Sequence, residues 1–167
     1  MEVVLAEPLD LVEILYLISQ CVIDMNEKGE MQWNTVTPSA HTIIDEIKKK
    51  NIYLVKDKGV CKGLLNITDI QPEHYKEINW GSNTSKVLYI RYMAIHPYWL
   101  NKGIDKLLIE FAEKYAKKNN FTNIRLSAFQ NNQLKTNFYN QEKYQKKGEF
   151  FDQYQKTPFV CYEKKIK

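Results

Sequence analysis

Residues 96–108 read HPYWLNKGIDKLL and join an apolar run, Val87 to Ile95, to an amphipathic one that starts at Gly103. A strand that turns directly into a helix leaves the first helical N–H groups free, and the positive end of the helix dipole lies with them. In α/β sheets that place, beyond the carboxyl end of a strand, is where ligands bind. Gly103 lets an anion approach the backbone with no Cβ in the way, and Lys102 and Lys106 add positive charge. The turn nevertheless holds one glycine and one acid, Asp105, where phosphate loops hold several glycines. The residues alone fit an anion seat and a purely structural turn equally well.

Working outward, Ile104, Leu107, Leu108, Phe111 and Tyr115 fall on one face and predict a helix over 103–119. Strands are predicted at 87–95 before it and 122–128 after it. Two strands joined through a helix are parallel, with a right-handed crossover. Toward the N-terminus, Met1 to Ala6 reads as an edge strand. Leu11, Ile14, Leu15, Ile18, Val22 and Met25 then have helical spacing. Thr37-Pro38 reads as a helix start, with threonine as N-cap and proline first in the helix. Ile43, Ile44 and Ile47 form its apolar face, and lysines load its C-terminal end.

Residues 52–56 and 61–70 are predicted strands joined by a hairpin at Asp57-Lys58-Gly59. Gln71 to Lys86 reads as a polar loop whose one apolar-looking feature is Trp80-Gly81. Gln133 to Glu142 is a short helix, and 145–151 and 159–163 are the last strands. The order is β-α-α-β-β-β-α-β-α-β-β, an α/β (α+β) chain with a mixed central sheet of about six or seven strands and about four helices. Its 167 residues suit one domain, 1–167.

Composition narrows the function classes. The net charge of +4 is mild and no dense basic stripe is present, so a nucleic-acid partner is not expected. No run of about 18 apolar residues and no leader-like N-terminus occur, so neither a membrane span nor export is expected. Cys21, Cys61 and Cys161 are far apart and set in apolar surroundings, and His41, His74 and His96 are scattered. The expectation is buried free thiols in a reducing cytoplasm and no metal site.

The chain resembles the GNAT superfamily of acyl-CoA-dependent N-acyltransferases. Ile95-His96-Pro97 matches that family's V-x-P strand end. Leu100-Asn101-Lys102-Gly103-Ile104-Asp105 stands at its [Q/R]-x-x-G-x-[G/A] turn. Asn132, Phe138-Tyr139 and Lys143-Tyr144 stand at its Asn, Tyr and Gly-Phe positions. The resemblance runs from Leu11 to Glu163, and Gln32-Trp33 also looks like a Gln-Trp pair of a bacterial subgroup. Three positions depart from the pattern: Leu100 for Gln or Arg, Asp105 for Gly or Ala, and Lys143 for Gly.

The resemblance implies a splayed sheet and acetyl transfer from acetyl-CoA to a primary amine of a small molecule or peptide. It implies that Met93, Ala94 and Ile95 hold the pantetheine arm and that Leu100, Asn101, Lys102, Gly103, Ile104, Asp105 and Lys106 cup the pyrophosphate. Tyr139 is implied as the acid that protonates the leaving thiolate. Asn132 is either a cofactor contact or a helix cap. Trp33, Trp80 and Tyr92 are candidates to line an acceptor pocket. Asp69, Glu73, His74, Tyr89 and Arg91 lie where a base would be sought, and none stands out. A homodimer is the default assembly. The alternative raised by Leu100 and Asp105 is a GNAT-fold binding or regulatory module that no longer holds the cofactor.

Overall fold

The computed structural model describes residues 1–29, 38–82, 84, 86–152 and 156–167. Among them are seven strands: β1 (Glu2–Leu5), β2 (Ile52–Asp57), β3 (Val60–Thr68), β4 (Val87–Ile95), β5 (Asn123–Phe129), β6 (Gln145–Phe150) and β7 (Phe159–Lys165). Four α-helices accompany them: α1 (Leu11–Glu27), α2 (Ala40–Lys48), α3 (Ile104–Lys118) and α4 (Gln133–Gln141). This is the expected order of elements. The strands form one mixed, open sheet in the order β1-β2-β3-β4-β5-β7-β6. β4 and β5 are parallel, pairing Val87–Ile90 with Asn123–Leu126, and β4 continues five residues past its last pair. The β1-β2, β2-β3, β5-β7 and β6-β7 pairs are antiparallel.

Backbone contacts divide the chain into two compact units, residues 1–67 with 92–112, and 68–91 with 113–167. In the first, Ile14, Leu17, Ile18 and Cys21 of α1 recur at helical spacing. They pack with Ile43 and Ile47 of α2 and with Ile52, Leu54, Leu64 and Ala94 of the strands. The helix start read at Thr37 lies outside the described residues. α2 begins at Ala40, and Ser39 is its N-cap, with Ser39 Oγ accepting the Thr42 N–H at 3.1 Å. The β2-β3 hairpin closes through Lys58 (φ 50°) and Gly59 (φ 81°), two left-handed residues that match the twist of the strands. Gly63 of β3 has a different reason to be glycine. A Cβ there would sit 2.9 Å from Ile104 Cγ2 and 3.1 Å from the Ala94 carbonyl oxygen, so its absence lets α3 seat against the strand.

In the second unit the segment 71–86 differs from its reading as a polar loop. A 3-10 turn, Glu73–Tyr75, turns Tyr75 inward. Tyr75 and Trp80 then join Val87, Tyr89 and Cys161 in a buried cluster, with Ile78 and Phe150 against it. Beside it lies a buried ion pair. Arg125 of β5 and Glu163 of β7 are register partners, and Arg125 Nε donates to Glu163 Oε1 at 2.9 Å. Asn123 and Ser82 donate to the same oxygen, each at 3.0 Å. The Arg125 guanidinium lies 4.4 Å from the Trp80 ring centre. Burial pushes the thiols of Cys61 and Cys161 up to about 12, which keeps both protonated.

Two stability outcomes follow. Gly63→Ala must displace Ile104 or the β4 backbone and is expected to cost about 1–3 kcal/mol in chemical denaturation. Glu163→Ala strands the Arg125 guanidinium in a site where both side chains are about 5% exposed. It should cost about 3–5 kcal/mol, whereas an Arg125→Met, Glu163→Leu double variant should lose far less. Equal losses in the single and double variants would rule out the buried charge as the cause.

Candidate functional site

The strand end, the turn and the helix start predicted at 93–106 all lie in the first unit. Met93 and Ala94 are buried and Ile95 is half-buried. The Ile95 carbonyl accepts from Cys21 Sγ at 3.2 Å, and the His96 N–H donates to the Lys62 carbonyl at 3.0 Å. Pro97–Trp99 then makes a single 3-10 turn, with His96 Nδ1 accepting the Tyr98 N–H. Proline at the first position suits this turn because its φ is preset and its missing N–H is not needed there.

Asn101 (φ 59°) and Gly103 (φ 78°) are left-handed, and between them they aim the chain into α3. The Gly103 carbonyl accepts the Leu107 N–H, so Gly103 caps the helix. Nothing lies within 4 Å of where its Cβ would be: backbone geometry, with open space above it, accounts for the glycine. Ile104 is 1% exposed and anchors the helix in the core rather than facing the turn.

The charges around this turn are arranged in a way the sequence did not disclose. Asp105 Oδ1 accepts the Lys106 N–H at 2.9 Å, so a carboxylate of the chain itself takes one amide of the helix start. Lys102 Nζ lies over the Tyr98 ring at 4.0 Å and at 4.7 Å from the Trp99 ring centre. Lys62, a buried lysine, stands over Trp99 at 3.8 Å and pairs with Asp57 at 2.5 Å. The Asp57 carboxyl is held below its ordinary value by the Lys62 hydrogen bond. The turn is therefore braced by three lysine–aromatic contacts from two lysines.

The remaining candidates separate. In the second unit Asn132 is the N-cap of α4, its Oδ1 accepting the Lys135 N–H at 3.1 Å, so the cap that the sequence left open is made. Tyr139 is 3% exposed on α4, its ring 5.5 Å from Phe138, 5.9 Å from Tyr144 and 5.6 Å from Tyr162. Burial pushes the neighbouring Tyr144 phenol far above its ordinary value. Trp80 is packed in the Tyr75 cluster, with its indole N–H on the Tyr75 carbonyl. In the first unit Tyr92 is half-buried, and its hydroxyl accepts from Asn66 Nδ2 at 3.3 Å. Trp33 lies outside the described residues.

Sequence reading missed the polar group behind Tyr92. Asn51 and Asn66 both donate to Glu46 Oε2, at 3.0 and 2.9 Å, in a buried setting. Because the carboxylate accepts the Asn66 amide hydrogens, the orientation of that amide is fixed. Asn66 Oδ1 is then the buried side-chain polar atom left without a hydrogen bond among the described residues. Asn66 lies within the apolar run of β3, and no periodicity signals it.

A family model described as "Acetyltransferase (GNAT) family" matches residues 20–144. This chain belongs to that family. The match takes in β2 through α4 and ends at Tyr144, so the turn at 100–106 and the Asn132–Tyr139 segment lie inside it.

Solved structures agree with the fold over nearly the whole length. A GNAT-family acetyltransferase from Streptococcus agalactiae superposes with a TM-score of 0.83 at 20% identity, covering 99% of this chain and 95% of that one. One from Listeria monocytogenes gives 0.80 at 21%, covering 99% and 94%. The paia N-acetyltransferase of Thermoplasma acidophilum, in complex with coenzyme A, gives 0.72 at 17%, covering 98% of each chain. A search of curated proteins gave no match. Among the described residues of this GNAT chain, no group of three His, Cys, Asp or Glu side chains could hold a metal ion. No described helix is long and apolar enough to cross a membrane.

Proposed function

We propose that this GNAT chain transfers an acetyl group from acetyl-CoA to a primary amine of a small molecule or peptide. Membership of the acetyltransferase family over residues 20–144 carries the reading. The turn supports it on physical grounds. A helix start capped by a left-handed glycine, with open space above it, offers backbone N–H groups and a positive dipole end to a pyrophosphate. Backbone from Asn101 to Lys106 holds the anion in this reading, so Leu100 need not supply a side-chain donor. The Met93–Ile95 backbone takes the pantetheine arm, and one of its amides polarises the thioester carbonyl.

Tyr139 serves as general acid toward the leaving thiolate, at the position where the family motif has a tyrosine. Its burial among three aromatic rings fixes the direction of the side chain. Tyr92, backed by the Glu46–Asn66 hydrogen bonds, is the acceptor-side residue in this reading, together with Trp33.

Calorimetric titration with acetyl-CoA and with CoA tests the proposal, and micromolar binding is expected. Absence of binding at millimolar ligand would sink it in favour of a non-catalytic module, the reading that the Asp105–Lys106 N–H bond favours. Tyr139→Phe keeps the packing and removes the proton. Turnover should fall by about 10²-fold with little change in cofactor affinity, and an unchanged rate removes the acid assignment. Asp105→Asn keeps an acceptor for the Lys106 N–H without the charge. CoA binding should tighten by about 1 kcal/mol, and weaker binding would show that the carboxylate helps to shape the turn.

A further inference from the structure

The second unit contains a cavity of about 790 Å³ beside the C-terminal residues of α3. Lys114 and Lys117 of α3, Lys143 of the α4-β6 turn, and Lys147 of β6 line it, with Lys164 and Lys165 of β7. Two carboxylates also line it, and both are already engaged. Glu163 accepts from Arg125, Asn123 and Ser82, and Glu113 accepts from Lys164 at 2.6 Å and from the Tyr144 hydroxyl. Lys114, Lys117, Lys143 and Lys165 have no carboxylate partner among the described residues, and Lys147 only shares Glu163 at 3.8 Å. With Lys167, which also lines it, five ammonium groups without a carboxylate partner among the described residues border one cavity. A bound anion would relieve their mutual repulsion.

Lys143 adds an independent sign. It stands where the family motif has a glycine, and its φ is 65°, a conformation that side chains other than glycine's adopt against steric preference. Lys50 and Lys58 are also left-handed, so the conformation alone says nothing. What distinguishes Lys143 is that its turn borders the cavity. A charge has replaced the expected glycine at a cavity already rich in the same charge.

We propose that this cavity is a binding site for a compact oligophosphate, either a short inorganic chain or the phosphate tail of a nucleotide. Among the described residues no aromatic side chain lines it and none offers a base-stacking platform, so the recognised part is the anion itself. Five ammonium groups around one space suit several negative charges held close together. An extended acidic peptide turns successive side chains to opposite faces, so its same-side carboxylates stand about 6.6 Å apart. The site is built from other residues than the proposed cofactor turn: its lining belongs wholly to the second unit, and residues 93–106 belong to the first.

The test is calorimetric titration of the full chain with tripolyphosphate, with ATP and with a glutamate-rich peptide, each repeated in saturating acetyl-CoA. Tripolyphosphate should bind, and its affinity should fall about tenfold or more between about 50 and about 500 mM salt. Acetyl-CoA should leave it unchanged. A Lys143→Glu, Lys165→Glu variant, altered at two exposed positions, should lose about tenfold or more in affinity. Lys114→Gln, Lys117→Gln on the helix provides a second variant with the same expectation. ATP binding as tightly as tripolyphosphate identifies a nucleotide tail, and weaker ATP binding identifies the inorganic chain. The proposal fails if neither phosphate binds at millimolar concentration, or if both variants bind as the parent does. It fails equally if the peptide competes on equal terms, or if acetyl-CoA displaces the phosphate. The last result would put the phosphate at the α3 start, and failure of acetyl-CoA itself to bind would leave this site untouched.

Discussion

The parallel ladder between β4 and β5 is the constraint from which the rest of the architecture follows. Parallel neighbours cannot be joined by a tight turn. The chain must leave the carboxyl end of β4, return alongside the sheet and enter β5 from the far end. α3 is that return path. The helix can start only where β4 stops, which fixes the turn at 96–103 and exposes the first amides of α3 beyond the strand. Gly63 completes the arrangement by clearing space on β3 for Ile104 and Leu108, the first two buried residues of the helix. A helix start at this point is a consequence of how a parallel pair is connected, before any catalytic residue is considered.

Much of this was legible in the sequence because period and punctuation agree. Val87–Ile95 is an apolar run broken only by the exposed Arg91, with Val87–Ile90 buried on both faces, and the helix after it has a clear 3.6 period. The buried face of α3 differs slightly from its reading. Ile104, Leu108, Ile109, Ala112 and Ala116 are fully buried, while Leu107, Phe111 and Tyr115 flank them half-exposed. The alanines were passed over because size dominates an apolar pattern, although small residues suit the closest approach. The start of α2 was placed at Thr37 because threonine followed by proline is a strong cap signal. Ser39, two residues on, is an equally good cap by type, and its hydroxyl is the one that reaches the Thr42 N–H.

What stayed hidden is polar and buried. Arg125, Glu163, Asn66, Glu46 and Lys62 all lie within 5% exposure, and each looks in sequence like a residue that should face water. Their burial depends on partners distant in the chain, Ser82 for Arg125 and Trp99 for Lys62, which no local window contains. The same holds for Tyr75 and Trp80, whose polar surroundings in sequence concealed that their segment builds a core. At the candidate site, the glycine and the helix start could be read directly. The carboxylate on the Lys106 amide and the lysines resting on Tyr98 and Trp99 could not, because they depend on side-chain direction.

The departures from the family pattern share a physical background. The chain has only six glycines, and among the described residues five others, Lys50, Lys58, Asn101, Asn120 and Lys143, take left-handed φ. Each such lysine costs about 1–2 kcal/mol relative to glycine in the same conformation, and asparagine costs less because its short amide bonds locally. Turns in this protein therefore run under steric load, and the glycines that remain in loaded positions carry information. Gly63 is held by contact with Ile104 and the Ala94 carbonyl. Gly103 is held by nothing in the protein except its φ, which Asn101, two residues earlier, shows that this chain can supply without glycine. Gly29, Gly59 and Gly81 share that positive φ and open Cβ position, so backbone geometry accounts for Gly103 as it does for them, whereas Gly63 is the glycine that packing requires.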